Sequence, residues 1–300
     1  MNHRSTASPL AEMVRGRQTL LLSQETMTTQ RAALLRLLND DDPATLSLLK
    51  AQLRGAGLSR LPELKALLPQ AAGAAAGHLR EVIAEIEASE ADALFAGVCA
   101  EFGENGDIET AAWQLASAFT LGDDFAPQRA LLDSWAAEVQ RRFRKADSEL
   151  DRIETLVEFL GHDVGLHGDE RDYYNINNSL LPEVIDTRQG IPITLSLIYL
   201  LVARRVGVEF EGVGLPGHFI VRSGEHFFDP FHIGRRLGIE DCRAIAERHG
   251  VALRREHVRP VTPRQMLTRM LGNIVVLAQE SDPPLAAKVS GWIEALDASE

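Results

Sequence analysis

Apolar residues recur at helical spacing over the first half of the chain. Between residues 29 and 89 they recur every three or four positions, and turn residues such as Asp42, Pro43 and Gly55 interrupt the pattern. This spacing puts the apolar side chains on one face of each short helix. We therefore predict a small helical bundle over residues 29–89, similar to a HEAT-type repeat. Residues 1–28 have no sustained period and predict a mobile tail.

A second helical block is predicted over residues 90–148. Its aromatic residues stand at helical spacing, which is typical of a hydrophobic core: Phe95, Trp113, Phe119 and Trp135. Over residues 149–260 the pattern changes, because Gly, Asn, Asp, Tyr and Pro become frequent and short β-type runs appear. We predict an α+β core there, followed by C-terminal helices over residues 261–300, and we expect the function to lie in this core.

One helix of this core is predicted to be buried. The segment from Pro192 to Val206 starts with proline in its first turn, is apolar on nearly every side and ends before Gly207. A helix that is apolar all round must be covered by other elements.

Three strand-like runs follow this helix, and a hairpin turn is predicted at Ser223–Gly224. That turn pairs Arg222 with Glu225 and, further along, His218 with Asp229. The last pair brings an imidazole within roughly 5 Å of a carboxylate, measured between the Cβ atoms. Asp229 would then orient His218 and raise its basicity.

Composition restricts the class of partner and the compartment. The chain of 300 residues has a formal net charge of −12 and 45% hydrophobic residues. This charge disfavours nucleic acid and anionic membranes as partners. The longest nearly continuous apolar run, Leu195 to Ala203, is about half of the roughly 20 residues that a membrane span needs, and the first residues lack a secretory signal. The two cysteines, Cys99 and Cys242, form no disulfide framework. We predict a soluble cytoplasmic protein.

Two cofactor motifs are rejected. Gly212 to Gly217 fits the dinucleotide fingerprint, but it leads from strand to strand and lacks the helix that binds a pyrophosphate. Acidic and histidine residues between His162 and Asp169 have no common metal-ligand spacing. We predict no cofactor and no metal, and we interpret Cys242 as a small core residue.

The motifs of the core resemble a known family. They are Tyr173, Tyr174, Asn178 and Ser179, then Arg188, Gly190 to Ser196 (GIPITLS), Leu215 to Phe219 (LPGHF) and Phe228 to Phe231 (FDPF). Together they are similar to SirB-type transglutaminase-like proteins. The resemblance implies a transglutaminase/papain-like core, in which a buried helix packs on a small antiparallel sheet. It also implies that residues 90–148 correspond to the helical N-terminal region of that family.

The resemblance implies a cysteine nucleophile at the start of the buried helix, where this chain has Pro192 after Gly190 and Ile191. Proline has neither a thiol nor an amide hydrogen, so it cannot attack a carbonyl or bind an oxyanion. Our first hypothesis is a non-catalytic module that binds a protein or peptide. Its expected binding residues, taken from the resemblance, are Tyr173, Tyr174, Asn178, Arg188, Pro192 and Thr194.

The alternative is an acyl-transfer enzyme or hydrolase that uses His218 and Asp229 with a displaced nucleophile. Ser196 is the best candidate, because it lies one helical turn after Pro192 and so shares its face. Against it, serine inside a buried helix often bonds back to the carbonyl four residues earlier, here that of Pro192. Thr194 meets a similar objection, and we favour the binding module.

Overall fold

A computed structural model describes residues 29–298, so the predicted tail over residues 1–28 lies outside the described part. Its contacts divide the chain into two units, one ending at Glu90 and the other beginning at Ala91. The fold is α+β, mostly helical with two small sheets. Within the described residues, no helix is both long enough and apolar enough to cross a membrane.

The first unit is a small set of helices around its own core. They are α1 (residues 29–37), α2 (Pro43–Gly55), α3 (Leu61–Leu67) and α4 (Gly73–Glu101), the last of which continues past the end of the unit. The side chain of Asp42 caps α2 by accepting hydrogen bonds from the amides of Ala44 and Thr45. Buried leucines such as Leu53, Leu64 and Leu79 fill the core. The HEAT-type likeness stays a prediction.

The second unit contains eight further α-helices in its described part. They are α5 (Ile108–Ser117), α6 (Ala126–Arg142), α7 (Glu149–Glu158), α8 (Leu181–Thr187), α9 (Pro192–Val206), α10 (Ile239–Arg248), α11 (Pro263–Ser281) and α12 (Pro283–Asp297). One hydrophobic cluster extends along the chain from Phe95 to Leu296. The segments that the sequence separates near residues 148 and 260 therefore share a single core.

Helix α9 is the buried helix of this unit, and its predicted bounds are confirmed. Of its 15 residues, 12 are buried, and each fully buried aliphatic side chain contributes about 1.5–3 kcal/mol. The helix ends at Gly207, whose φ of 68° lies in the left-handed region that favours glycine. Near this end, Arg204 and Arg205 both form ion pairs with the buried Glu109 of α5, which hold the helix against its neighbour.

Two small sheets accompany the helices. Strands β1 (His167–Gly168) and β2 (Gln189–Gly190) pair in parallel, whereas β3 (Glu211–Val213), β4 (Ile220–Ser223), β5 (His226–Asp229) and β6 (Arg235–Leu237) form an antiparallel sheet in that order. The sequence predicted three of these strands, in somewhat longer form. It missed β6 because Leu237 is that strand's one buried residue, which leaves no alternating pattern to detect.

The predicted hairpin register is wrong by two residues. Ser223 pairs with His226, so the two loop residues are Gly224 and Glu225. Gly224 has a φ of 56°, and a positive φ at the first loop position suits glycine. The predicted contact between Arg222 and Glu225 is therefore absent, and Arg222 Nε donates instead to Glu211 Oε2 on β3 at 2.8 Å. Because side chains alternate along a strand, a two-residue shift leaves each one on its predicted face.

Candidate functional site

The structure brings His218 and Asp229 together. His218 lies in the loop before β4, and Asp229 is the last residue of β5. The imidazole Nε2 lies 3.0 Å from both carboxylate oxygens of Asp229. Asp229 is fully buried, whereas 11% of the His218 side chain is exposed. The pair is thus a buried carboxylate that orients an accessible imidazole.

Asp229 also binds a second histidine. His232 Nδ1 lies 2.7 Å from Asp229 Oδ2, and the amide of Phe231 donates to Oδ1 at 3.1 Å. Burial alone would raise the pKa of the Asp229 carboxyl, but the hydrogen bonds and charges of His218 and His232 hold it below its usual value. Sequence reasoning missed His232. The sequence signal that could have found it is its position three residues after Asp229. A single turn of 3-10 helix brings the side chain of a residue at that position back to the carboxylate.

The loop that carries His218 is held from outside the sheet. Arg269 of α11 donates through Nη2 to the carbonyls of Leu215, at 3.0 Å, and of His218, at 2.7 Å. At the end of α10, the ring of His249 lies so close to Gly217 that a Cβ on Gly217 would approach it to 2.3 Å. Neither contact has a local sequence signal, because each joins elements more than thirty residues apart.

His218 lines a cleft of about 390 Å³. The other lining residues are Tyr173, Pro192, Gly217, Phe231, His232, Ile245, Arg248 and His249. His218 Nδ1 forms no hydrogen bond with any residue between 29 and 298, so it is free to bind a ligand in the cleft. A second cavity, of about 510 Å³, shares Phe231 and His232 as part of its wall.

Comparison with known proteins identifies the domain that carries this site. Residues 127–272 match the family model described as the transglutaminase-like superfamily. The chain contains a transglutaminase-like superfamily domain. The matched region includes α9, the antiparallel sheet, the loop that carries His218 and the hydrogen-bonded Asp229.

Relatives of this transglutaminase-like domain occur in bacteria and mammals. A UPF0162 protein of Xylella fastidiosa is 37% identical over 133 residues, which are 41% of this chain and 47% of the relative. A UPF0162 protein of Pseudomonas aeruginosa is 29% identical over 187 residues, or 60% and 67% of the two chains. F-box only protein 21 of Mus musculus is 34% identical over 124 residues, 37% of this chain and 19% of that protein. The chain thus spans about half the length of the Xylella relative. No solved structure matches.

The helix start of the transglutaminase-like domain has no thiol. Pro192 occupies the position at which the resemblance implies the nucleophile, and it lines the same cleft as His218. Both cysteines are free and buried, and neither lines the cleft. Burial raises the pKa of Cys99 to about 12 and that of Cys242 to about 11, so neither supplies the thiolate that attacks carbonyls. Cys242 packs in a hydrophobic cluster, which confirms its interpretation as a core residue.

Ser196 and Thr194 are poorly placed to replace that thiol. Ser196 is fully buried, and its hydroxyl donates to the carbonyl of Phe219 at 3.4 Å. The expected bond back to the carbonyl of Pro192 is therefore wrong, and the hydroxyl forms no hydrogen bond with His218 either. Thr194 is also fully buried, and its Oγ1 has no hydrogen-bond partner in the part of the chain that the structure describes. Neither oxygen is exposed to a substrate.

The two adjacent tyrosines differ in position. Tyr173 lines the cleft, and its ring meets that of Phe231 with centroids 6.0 Å apart. Tyr174 is 76% exposed and is absent from the lining. Of the two predicted binding residues, Tyr173 alone is brought to the site.

Asn178 and Arg188 do not line the cleft, contrary to expectation. The Asn178 side chain donates to the carbonyl of Asp172 at 2.8 Å and so stabilises the loop before α8. Arg188 ends α8 with a φ of 64°, and its guanidinium lies 4.7 Å from the ring centroid of Trp135. Both support the framework around the site, because their side chains are engaged in loop and core contacts.

Among residues 29–298, one group could hold a metal ion, namely His218, Asp229 and His232, whose donor atoms lie within 4.8 Å of one another. A tetrahedral zinc ion with bonds of about 2.0–2.2 Å separates its ligand atoms by roughly 3.4 Å. The contacts of Asp229 with the two imidazoles, 3.0 and 2.7 Å, are instead ordinary hydrogen-bond lengths. This geometry describes two histidines that share one buried carboxylate.

Proposed function

We propose that the transglutaminase-like domain is a non-catalytic module that binds a peptide segment of another protein in the cleft beside His218. One observation carries this proposal. The nine lining residues include Pro192 at the helix start but no cysteine, serine, threonine or lysine. Acyl transfer of the Cys-His-Asp type needs a thiol, or an aliphatic hydroxyl or amine in its place, within reach of the base. The cleft therefore has an oriented imidazole without such a group beside it.

The character of the cleft supports a peptide ligand. Its volume of about 390 Å³ lies in the range of small-ligand sites. Tyr173 and Phe231 supply aromatic surface, which contributes much of the binding energy in peptide and protein interfaces. His218 adds a polar atom, Nδ1, that is not engaged by the described protein residues and suits a backbone or side-chain group of the ligand.

Three narrower assignments belong to the same proposal. The papain-like character of the core is supported by the contacts of α9 with the antiparallel sheet. The motifs from Gly190 to Ser196 and from Phe228 to Phe231 support a SirB-type assignment. Two free, buried cysteines favour a reducing compartment such as the cytoplasm.

The proposal is tested with a phage-displayed library of random peptides selected on the full chain, followed by calorimetry with the selected peptides. Tyr173→Ala should weaken binding about tenfold or more, because it removes an aromatic side chain from the cleft wall. Tyr174→Ala is the matched control, since this neighbouring ring is exposed outside the cleft, and we expect a change below about threefold. Equal loss in the two variants, or no selected peptide at all, would contradict the proposal.

The enzymatic alternative predicts a different result. A serine-directed acyl probe should label the wild-type chain and leave Ser196→Ala unlabelled if Ser196 were the nucleophile. We expect neither protein to be labelled, because the Ser196 hydroxyl is buried and bonded to the backbone. Labelling is read by intact-protein mass spectrometry. A probe adduct on Ser196 would contradict the binding module and indicate a hydrolase.

A further inference from the structure

We propose that the cleft selects an acidic side chain, Asp or Glu, within the bound peptide segment, an inference that rests on the proposed peptide-binding function. The lining contains His218, His232, His249 and Arg248 but no carboxylate. The chain as a whole is acidic, with 43 Asp and Glu residues against 31 Lys and Arg. A basic surface on an otherwise acidic protein favours a negatively charged ligand.

Arg248 is available to such a ligand. It lies at the exposed end of α10, and its guanidinium forms no hydrogen bond or ion pair with any residue that the structure describes. Arg243 on the same helix differs, because it is paired with Glu240. Arginine binds carboxylates through two parallel hydrogen bonds, so an unpaired guanidinium at the rim of a cleft is well suited to an Asp or Glu side chain.

A second arginine adds positive charge behind the cleft wall. Arg269 is partly buried and donates to the carbonyls of Leu215 and His218, but no carboxylate among residues 29–298 lies within ion-pair distance of it. A guanidinium removed from water without a counter-ion costs free energy, which a nearby anion partly offsets. The 2.7 Å hydrogen bond from Arg269 Nη2 to the carbonyl of His218, a lining residue, places this charge near the cleft.

The one carboxylate beneath the site does not oppose an anionic ligand directly. Asp229 is fully buried, and His218, His232 and the amide of Phe231 occupy its oxygens. Its charge is therefore directed at two imidazoles that separate it from the cleft. Both imidazoles line the cleft and Asp229 does not, so a ligand meets the two histidine rings rather than the carboxylate.

An internal side chain fits better than a peptide C-terminus. The neighbouring cavity shares Phe231 and His232 with the cleft, so a peptide that extends past these two residues would have room on both sides of them. That second cavity has a mixed lining, with Asp169 and Glu170 beside Arg171. The preference for an acidic residue should thus apply at one peptide position, next to Arg248.

The test uses pools of heptapeptides with random flanks and a fixed central Glu, Gln or Lys, all acetylated and amidated, on the immobilised full chain. The Glu pool should be retained about tenfold more than the Lys pool and about fivefold more than the Gln pool. Arg248→Gln should reduce the preference for Glu over Gln about threefold or more, since it removes the unpaired guanidinium. Arg243→Gln, on the same helix outside the lining, should leave the preference unchanged.

The outcomes separate the inference from the proposed function. Equal retention of the Glu and Gln pools, with both lost in Tyr173→Ala, would overturn acidic selection and leave peptide binding in place. Retention of no pool by the wild type would overturn both. If a Lys pool with a free C-terminal carboxylate bound as well as the amidated Glu pool, the ligand group would be a peptide terminus and the side-chain assignment would be wrong.

Discussion

Pro192→Cys is expected to create a thiol that reacts with iodoacetamide at pH 7 about 100-fold faster than either native cysteine. The new side chain would stand at the first turn of α9, a helix of 15 residues whose N-terminus has a positive partial charge. It would share a cleft with His218. Both features stabilise a thiolate, whereas burial raises the pKa of Cys242 to about 11. Peptide mapping after timed alkylation measures the three rates separately.

Two variants control this experiment. Ser196→Cys puts a thiol one turn further along α9, at a fully buried position, and we expect it to stay unreactive. Pro192→Cys combined with His218→Ala should react about tenfold more slowly than Pro192→Cys alone, because the imidazole no longer favours the thiolate. If Pro192→Cys were no faster than Cys242, the helix start would be closed to reagents, and the cleft could not accept a ligand there.

The parts of the site that the sequence predicted are those with local signals. Helix α9 was predicted with correct bounds, because a first-turn proline, an apolar run and Gly207 all lie within one segment. The approach of His218 to Asp229 was predicted from an incorrect register. The approach holds because a shift of two residues keeps strand side chains on the same face, and the loop before β4 brings His218 to the carboxylate of Asp229.

The remaining parts depend on contacts between distant segments. Arg269 reaches the His218 loop from α11, and His249 reaches Gly217 from the end of α10. Neither residue type at its own position indicates such a contact, because an arginine within a helix and a histidine at a helix end are usually solvated. The burial of Ser196 against Phe219 is similar, since helical spacing gives the face of a residue but not the backbone atom that it meets.

The second large expected effect concerns stability, and it follows from removing the charge of Asp229, the carboxylate that His218 and His232 share. Asp229→Asn should lower the free energy of unfolding at pH 7 by about 2–3 kcal/mol, because it removes the charge that two imidazoles bind while nearly keeping the shape. The pKa of Asp229 is below its usual value in the folded chain. Its contribution is therefore fully present above the unfolded pKa of about 3.9 and is lost as the pH falls through the lower folded value.

The lowered pKa of Asp229 predicts a specific pH profile for the urea unfolding of wild type and Asp229→Asn. The difference in unfolding free energy between wild type and Asp229→Asn should stay near its full value down to about pH 5 and shrink below about pH 4. Asp147→Asn, an exposed position, should differ from wild type by less than about 0.5 kcal/mol throughout. A difference that persisted unchanged to pH 3 would mean that Asn disturbs packing rather than charge. In that case the shared carboxylate could not be what holds the two imidazoles at the cleft.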